Sequence, residues 1–154
     1  MSLNISTLDS SYTDALFQLD NEANATPWSK LNYQDSFNDS NHIVSGLFAN
    51  NQLIGFCVIS KFLDEAEVLQ IVIAKSSQNN GYGNYLLGNI CQQLELDGIQ
   101  QIFLEVLASN ANAIHLYSKL QFNEIGIRKN YYTINGNKFD AILMARTNII
   151  NHQQ

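Results

Sequence analysis

The chain has 154 residues, which suits one domain, and 45% of them are hydrophobic, enough for a core of that size. A net charge of −6 and a pI near 4.8 argue against a general nucleic-acid binder, which needs a basic face, and are compatible with a basic partner. The opening MSLNISTLDSS lacks the basic start and apolar centre of a signal peptide, and no apolar run reaches membrane-spanning length, so a cytoplasmic protein is expected.

In chain order, Leu3 to Leu8 alternates apolar and polar residues and predicts a first strand. Tyr12, Leu16, Leu19 and Ala23 recur at helical spacing, which predicts a helix over 13–21. Pro27 marks a turn, and Ser29 is a candidate cap for a second helix running through Phe37. HIVSGLFAN and LIGFCVISKFL are rich in β-branched and aromatic residues and meet at Asn50-Asn51-Gln52, a hairpin signal. Leu63 to Glu67 reads as a solvated turn and Glu67 to Ala74 as a third strand, so 41–74 is expected to be an antiparallel meander. Next, Leu86, Leu87, Ile90, Cys91 and Leu94 form one helical stripe that ends near Gly98. IQQIFLEVL is a strand, and SNANAIHLYSKL a helix with Asn110 near its cap. Two further strands flank Asn135-Gly136.

The strand–helix–strand step from Glu67 to Leu107 implies one parallel pair in an otherwise antiparallel sheet, hence an α+β or mixed α/β fold. A Rossmann arrangement fits poorly, because the glycine loop follows three antiparallel strands. Cys57 and Cys91 have no metal-type spacing and read as buried hydrophobes in a reducing compartment, and no metal site is expected. Residues 1–147 are expected to form the domain and 148–154 a loose tail.

Three features could carry chemistry. Gly81 and Gly83 stand between a strand and a helix, where glycine serves unusual backbone angles or a close approach of main-chain N–H groups to an anion. Glu105 lies between Phe103 and Leu107 on one strand face, either exposed at the strand end or held at a cleft where burial would suit a general base. Tyr117 lies on the apolar stripe of the next helix, as core or as an acid facing Glu105 across one crevice. His115, about 200° around the helix from Tyr117, is expected to point away into solvent.

The segments ATPWSK, LDEAEVLQIVIA, QNNGYGNYLL, LEVLASNANAIHLYSKLQF and RKNYYTINGNKFDAILMA share one pattern, spanning 25–145. With them the chain resembles the Gcn5-related N-acetyltransferases, and within these the bacterial enzymes that modify the N-terminal alanine of a ribosomal protein. The resemblance implies an acyl-CoA N-acyltransferase fold: a largely antiparallel sheet, helices on both faces, and a central parallel pair splayed into a V that takes acetyl-CoA. By residue match, Ile71, Val72 and Ile73 would offer main-chain groups to the pantetheine and acetyl carbonyl. Asn79, Asn80, Gly81, Tyr82, Gly83 and Asn84 would wrap the diphosphate, and Asn110 would contact the cofactor. Glu105 matches the family's general base and Tyr117 its general acid.

The implied acceptor is a protein N-terminal α-amine on a basic small-subunit ribosomal protein, with no direct nucleic-acid or membrane partner, and the enzyme a monomer or weak dimer. Two departures stand out. Asn79 and Asn84 occupy places where arginine is common, so weaker cofactor binding is expected unless a neighbour such as Lys75 compensates. Gln121 replaces the glycine of an LGF turn. The rival readings are an acetyltransferase for another amine, a lysine or a polyamine, and a non-catalytic acyl-CoA binding module.

Overall fold

The computed structural model describes residues 2–148. The chain runs β1 (Leu3–Thr7), α1 (Thr13–Ala23), α2 (Lys30–Asn38), β2 (His42–Ala49), β3 (Gln52–Phe62), β4 (Glu65–Ile73), α3 (Tyr82–Leu96), β5 (Gln101–Leu107), α4 (Ala111–Lys119), β6 (Asn123–Ile134) and β7 (Asn137–Thr147), with short 3-10 turns before α1 and after β4. The seven strands of the described residues form one sheet in the order β1-β2-β3-β4-β5-β7-β6. Only β4 and β5 pair in parallel; every other neighbouring pair is antiparallel.

Strand alternation builds a separate core on each face of the sheet. On β3, Cys57 and Ile59 face α3 and α4, where they join Leu86, Leu87, Ile90, Leu94 and Tyr117. Phe56 and Val58 face the other way and pack with Leu16 of α1 and Tyr33 of α2. The fold class expected from the sequence is therefore the observed one.

Local signals account for most boundaries. Ser29 caps α2 in a full capping box with Asn32. Asn110 caps α4 by accepting from the Ala113 amide at 3.1 Å. Gly98, at φ +100°, follows the end of α3 in the left-handed conformation. The segment 63–67 is a shorter turn than expected. β4 already begins at Glu65, because Glu65, Ala66 and Glu67 pair with Phe62, Lys61 and Ser60. The start of the expected tail is also ordered. Asn148 is 1% exposed, and its side-chain amide donates to the Glu95 and Ile99 carbonyls at 3.2 and 2.8 Å. Residues 149–154 lie outside the described residues.

A buried ion pair joins the ends of α3, α4 and β7. Arg146 donates to both Glu95 oxygens at 2.8 and 3.1 Å and to the Leu120 carbonyl at 3.1 Å. This bidentate geometry satisfies a carboxylate that is 5% exposed.

Candidate active site

The sheet opens at its one parallel junction. β4 pairs with β5 only from Glu65↔Gln101 to Val68↔Leu104. Beyond that point β4 keeps β3 as partner as far as Gly55↔Ile73, while β5 keeps β7 as far as Leu107↔Ala141. Each strand holds its outer neighbour and loses the inner one. A bulge marks the parting. Val58 pairs with Gln70 and Ile59 with Val68, which leaves Leu69 as the extra residue on β4. Bulges turn a strand and end pairing, and here one sits one residue past the last β4–β5 pair.

A groove of about 600 Å³ lies against the freed part of β4. Ile71 and Ile73 line it, together with Asn79, Gly81, Tyr82, Gly83 and Asn84 of the loop and Asn110 at the start of α4. Val72 differs: its side chain, 3% exposed, packs in the α1–α2 core, so only its main chain could serve a ligand here. Asn80 is likewise absent from the lining. Its amide donates to the Ser77 and Gln78 carbonyls at 3.1 and 2.9 Å and so shapes the loop from behind.

The two glycines answer different needs. Gly81 is the N-cap of α3 at φ +81°, a left-handed angle that L side chains rarely adopt, with open space around it. Gly83 has an ordinary backbone, but a Cβ there would stand 3.3 Å from Leu116 Cδ2, so its smallness lets α3 start close against α4. Because the N-cap is a glycine, no capping side chain covers the positive end of α3 where it meets the groove.

Charge reinforces this. Among the described residues no Asp or Glu lines the groove, although the chain carries 14 of them. Lys119 and His115, one turn apart on α4, do line it. His115 is exposed, as expected, yet it faces the groove and not open solvent. Helix α4 approaches the loop closely enough that residues flanking the Tyr117 stripe border the cavity. Lys75 is exposed and stands outside the lining, whereas Lys119 is part of it. Asn79 sits at φ +64°, an angle asparagine tolerates better than arginine does. A second groove, of about 410 Å³, lies between α3 and β1–β3 over Ile5, Ile43 and Ile59, and among the described residues Asp97 is its one charged residue.

Glu105 and Tyr117 stand outside the groove lining. Glu105 is the first residue of β5 past the last β4–β5 pair, with its side chain 21% exposed. Arg128 of β6 pairs with it at 3.1 Å. Tyr117 is 8% exposed, and its ring meets Phe122 edge-on at 6.0 Å. Burial pushes its hydroxyl up to about 12, with smaller contributions from Cys57 and Tyr132. Tyr132 is itself raised by burial and then by the Glu105 carboxylate. Tyr132 thus lies within electrostatic reach of both Tyr117 and Glu105. Glu67, two residues before the bulge, is raised by burial and by Glu105, with Arg128 opposing.

Arg128, Tyr131 and Tyr132 were not singled out from the sequence as site residues. They reach the site through a second irregularity: Arg128 pairs with Ala141 and Tyr132 with Phe139, so three residues of β6 oppose Asp140 alone. Asn130, at φ +54°, donates its N–H to the Asp140 carboxylate at 2.9 Å and holds this kink. The kink stacks Arg128 on the Tyr131 ring at 5.1 Å. The RKNYY segment carried only a family likeness, since nothing in its pattern fixes a bulge.

Among the described residues no cluster of three His, Cys, Asp or Glu side chains could hold a metal ion, and no helix is long and apolar enough to cross a membrane.

Known proteins share this architecture. The chain is 37% identical over 142 residues to the [ribosomal protein bS18]-alanine N-acetyltransferase of Haemophilus influenzae, covering 92% of this chain and 96% of that one. It is 36% identical over 141 residues to the enzyme of the same name from Escherichia coli K12, covering 92% and 95%. The crystal structure of the ribosomal-protein-S18-alanine N-acetyltransferase from Escherichia coli superposes with a TM-score of 0.91 at 34% identity, covering 96% of this chain and 94% of that one. The sequence profile of the acetyltransferase (GNAT) family matches residues 12–122. The chain is an N-acetyltransferase and belongs to the acetyltransferase (GNAT) family.

Proposed function

We propose that this protein transfers the acetyl group of acetyl-CoA to a protein N-terminal α-amine, and that its substrate is the N-terminal alanine of ribosomal protein bS18. The observation that carries this reading is near end-to-end similarity to enzymes of that name at 36–37% identity. The gap in the sheet supports it, with an anion-suited groove on one side and a paired carboxylate on the other. The net charge of −6 favours encounter with a basic ribosomal tail.

The groove fits coenzyme A. The main chain of 71–73 lacks a ladder partner on the β5 side and can donate to the pantetheine and the acetyl carbonyl. The loop 79–84 and the positive end of α3 suit a diphosphate, and Asn110 and Lys119 close the far side. When bound, acetyl-CoA supplies an activated acyl group as a thioester.

This chain's own residues handle the protons. An α-amine with pKa about 7.7–8.0 is largely protonated at neutral pH, and only its neutral form attacks a carbonyl. Glu105, directly or through a water, takes the proton, and Arg128 at 3.1 Å holds the carboxylate in place. Tyr117, protonated throughout the physiological range, directs its O–H toward the sulfur as charge grows there.

The test is incubation with acetyl-CoA and a synthetic peptide carrying the bS18 N-terminus, read by mass spectrometry. A free peptide gains one acetyl group at its α-nitrogen and a pre-acetylated control gains none. Equal coenzyme A release with both peptides, or modification only at internal lysines, refutes the assignment.

A further inference from the structure

Asp20, near the end of α1, has no exposed surface, yet none of the ion pairs among the described residues includes it. Its contacts explain it. One carboxylate oxygen, Oδ2, accepts from the Trp28 amide at 2.9 Å, the Tyr33 hydroxyl at 2.6 Å and the Gln70 side chain at 3.3 Å. The other, Oδ1, accepts from the Asn24 side chain at 2.5 Å. The Asp20 main-chain carbonyl also accepts from the Asn24 amide at 2.8 Å. All these partners donate, which is the set an acceptor-only carboxylate requires.

Two of the partners belong to opposite sides of the groove. Asn24 and Ala23, at the end of α1, line it directly. Gln70 immediately precedes Ile71 on the freed part of β4, where Ile71 and Ile73 form the facing side. A single buried group therefore ties the last turn of α1 to the strand segment that has lost β5.

We propose that Asp20 is a positioning residue whose two oxygens, one on Asn24 and one on Gln70, set the separation of α1 and β4 across the groove. This rests on reading the groove as the acetyl-CoA site. Asp20 is not part of the groove lining and acts only through the groove's two sides. A misplacement of about 1 Å at such a site is enough to weaken productive binding. Asparagine at position 20 keeps the size but replaces one acceptor with a donor. Turned toward Trp28, Tyr33 and Gln70 its NH₂ meets three donors, whereas turned toward Asn24 it meets an amide that can itself turn over to accept. That second orientation keeps the Trp28, Tyr33 and Gln70 contacts, so Asp20→Asn replaces the charge-assisted tie to α1 with at most a weaker neutral amide pair.

The experiment compares acetyl-CoA affinity by calorimetry with thermal stability for Asp20→Asn, Asn24→Ala and Tyr33→Phe. Tyr33→Phe removes one bond to the same carboxylate without touching either side of the groove. Asp20→Asn and Asn24→Ala are expected to weaken acetyl-CoA by about fivefold or more. Tyr33→Phe is expected to lower Tm at least as much as Asn24→Ala, yet to keep affinity within about twofold. In the peptide assay the first two variants raise KM for acetyl-CoA and hold kcat within about threefold. Wild-type affinity in Asp20→Asn, or affinity falling in step with Tm across all three variants, overturns the inference and leaves the function intact. If Asp20→Asn does not fold, Gln70→Ala, which removes the β4 tie from outside the groove lining, decides when compared with Tyr33→Phe: lost affinity supports the inference and wild-type affinity overturns it. A wild-type protein that fails to bind acetyl-CoA removes the functional reading, and this inference with it.

Discussion

Replacing Tyr117 by Phe isolates what one oxygen contributes, because the ring stays buried at 8% exposure against Phe122. The hydroxyl is pushed up to about 12, so it remains a donor at any practical assay pH. A thiolate of ordinary cysteine-like basicity has a pKa of about 8.5, which makes complete transfer to it uphill by roughly 3.5 units, or about 5 kcal/mol. In the proposed mechanism Tyr117 would thus act mainly as a hydrogen-bond donor that strengthens as negative charge builds on the sulfur. Loss of one donor aimed at developing charge costs about 10²–10³ in kcat, or about 2.7–4 kcal/mol. Tyr117→Phe is therefore expected to lower kcat at least about a hundredfold, with coenzyme A affinity by calorimetry within about twofold. A kcat within about threefold of wild type would refute the role. Stability gives an independent reading. The folded value of Tyr117 lies above its ordinary value of 10, so its contribution is intact below pH 10 and is lost as pH rises toward 12. The loss is on the order of a few kcal/mol for a shift of this size. Urea melts across that window should show wild type losing more stability than Tyr117→Phe.

Further expectations follow from the same geometry. Glu105→Gln keeps shape beside Arg128 but cannot take a proton, so kcat at neutral pH falls by about 10²–10³. Because the amine becomes neutral above its own pKa of about 8, that deficit shrinks between about pH 7 and 9, and a pH-independent deficit counts against the base role. Asn84→Arg adds a cation in the first turn of α3 and should tighten coenzyme A several-fold in low-salt calorimetry. Asn79→Arg should do less, since its φ of +64° costs a non-glycine, non-asparagine residue about 1 kcal/mol; equal gains from both would show that backbone strain is irrelevant there. Gln121, at φ +67°, holds a left-handed angle in the turn after α4. Gln121→Gly should raise stability by about 1 kcal/mol, a Tm rise of about 3 °C, and an unchanged or lower Tm would refute the strain.

Local chemistry in the chain was sufficient for the elements themselves. Ser29 and Asn110 announced two helix starts, Asn135-Gly136 a hairpin, and the stripe from Leu86 to Leu94 the face of α3, because caps, turns and periodicity act over a few residues. The order of those elements implied the single parallel pair, and sequence likeness pointed to Glu105 and Tyr117. What only the folded chain decided depends on contacts between segments distant in sequence. The extra residue at Leu69 is visible only against β3, the kink at Asn130 only against Asp140, and the cationic side of the groove only once α4 packs beside the loop. Asp20 looked like any charged residue of an amphipathic helix. Its burial is set by Trp28, Tyr33 and Gln70, up to 50 positions away, and no local pattern encodes a partner at that range.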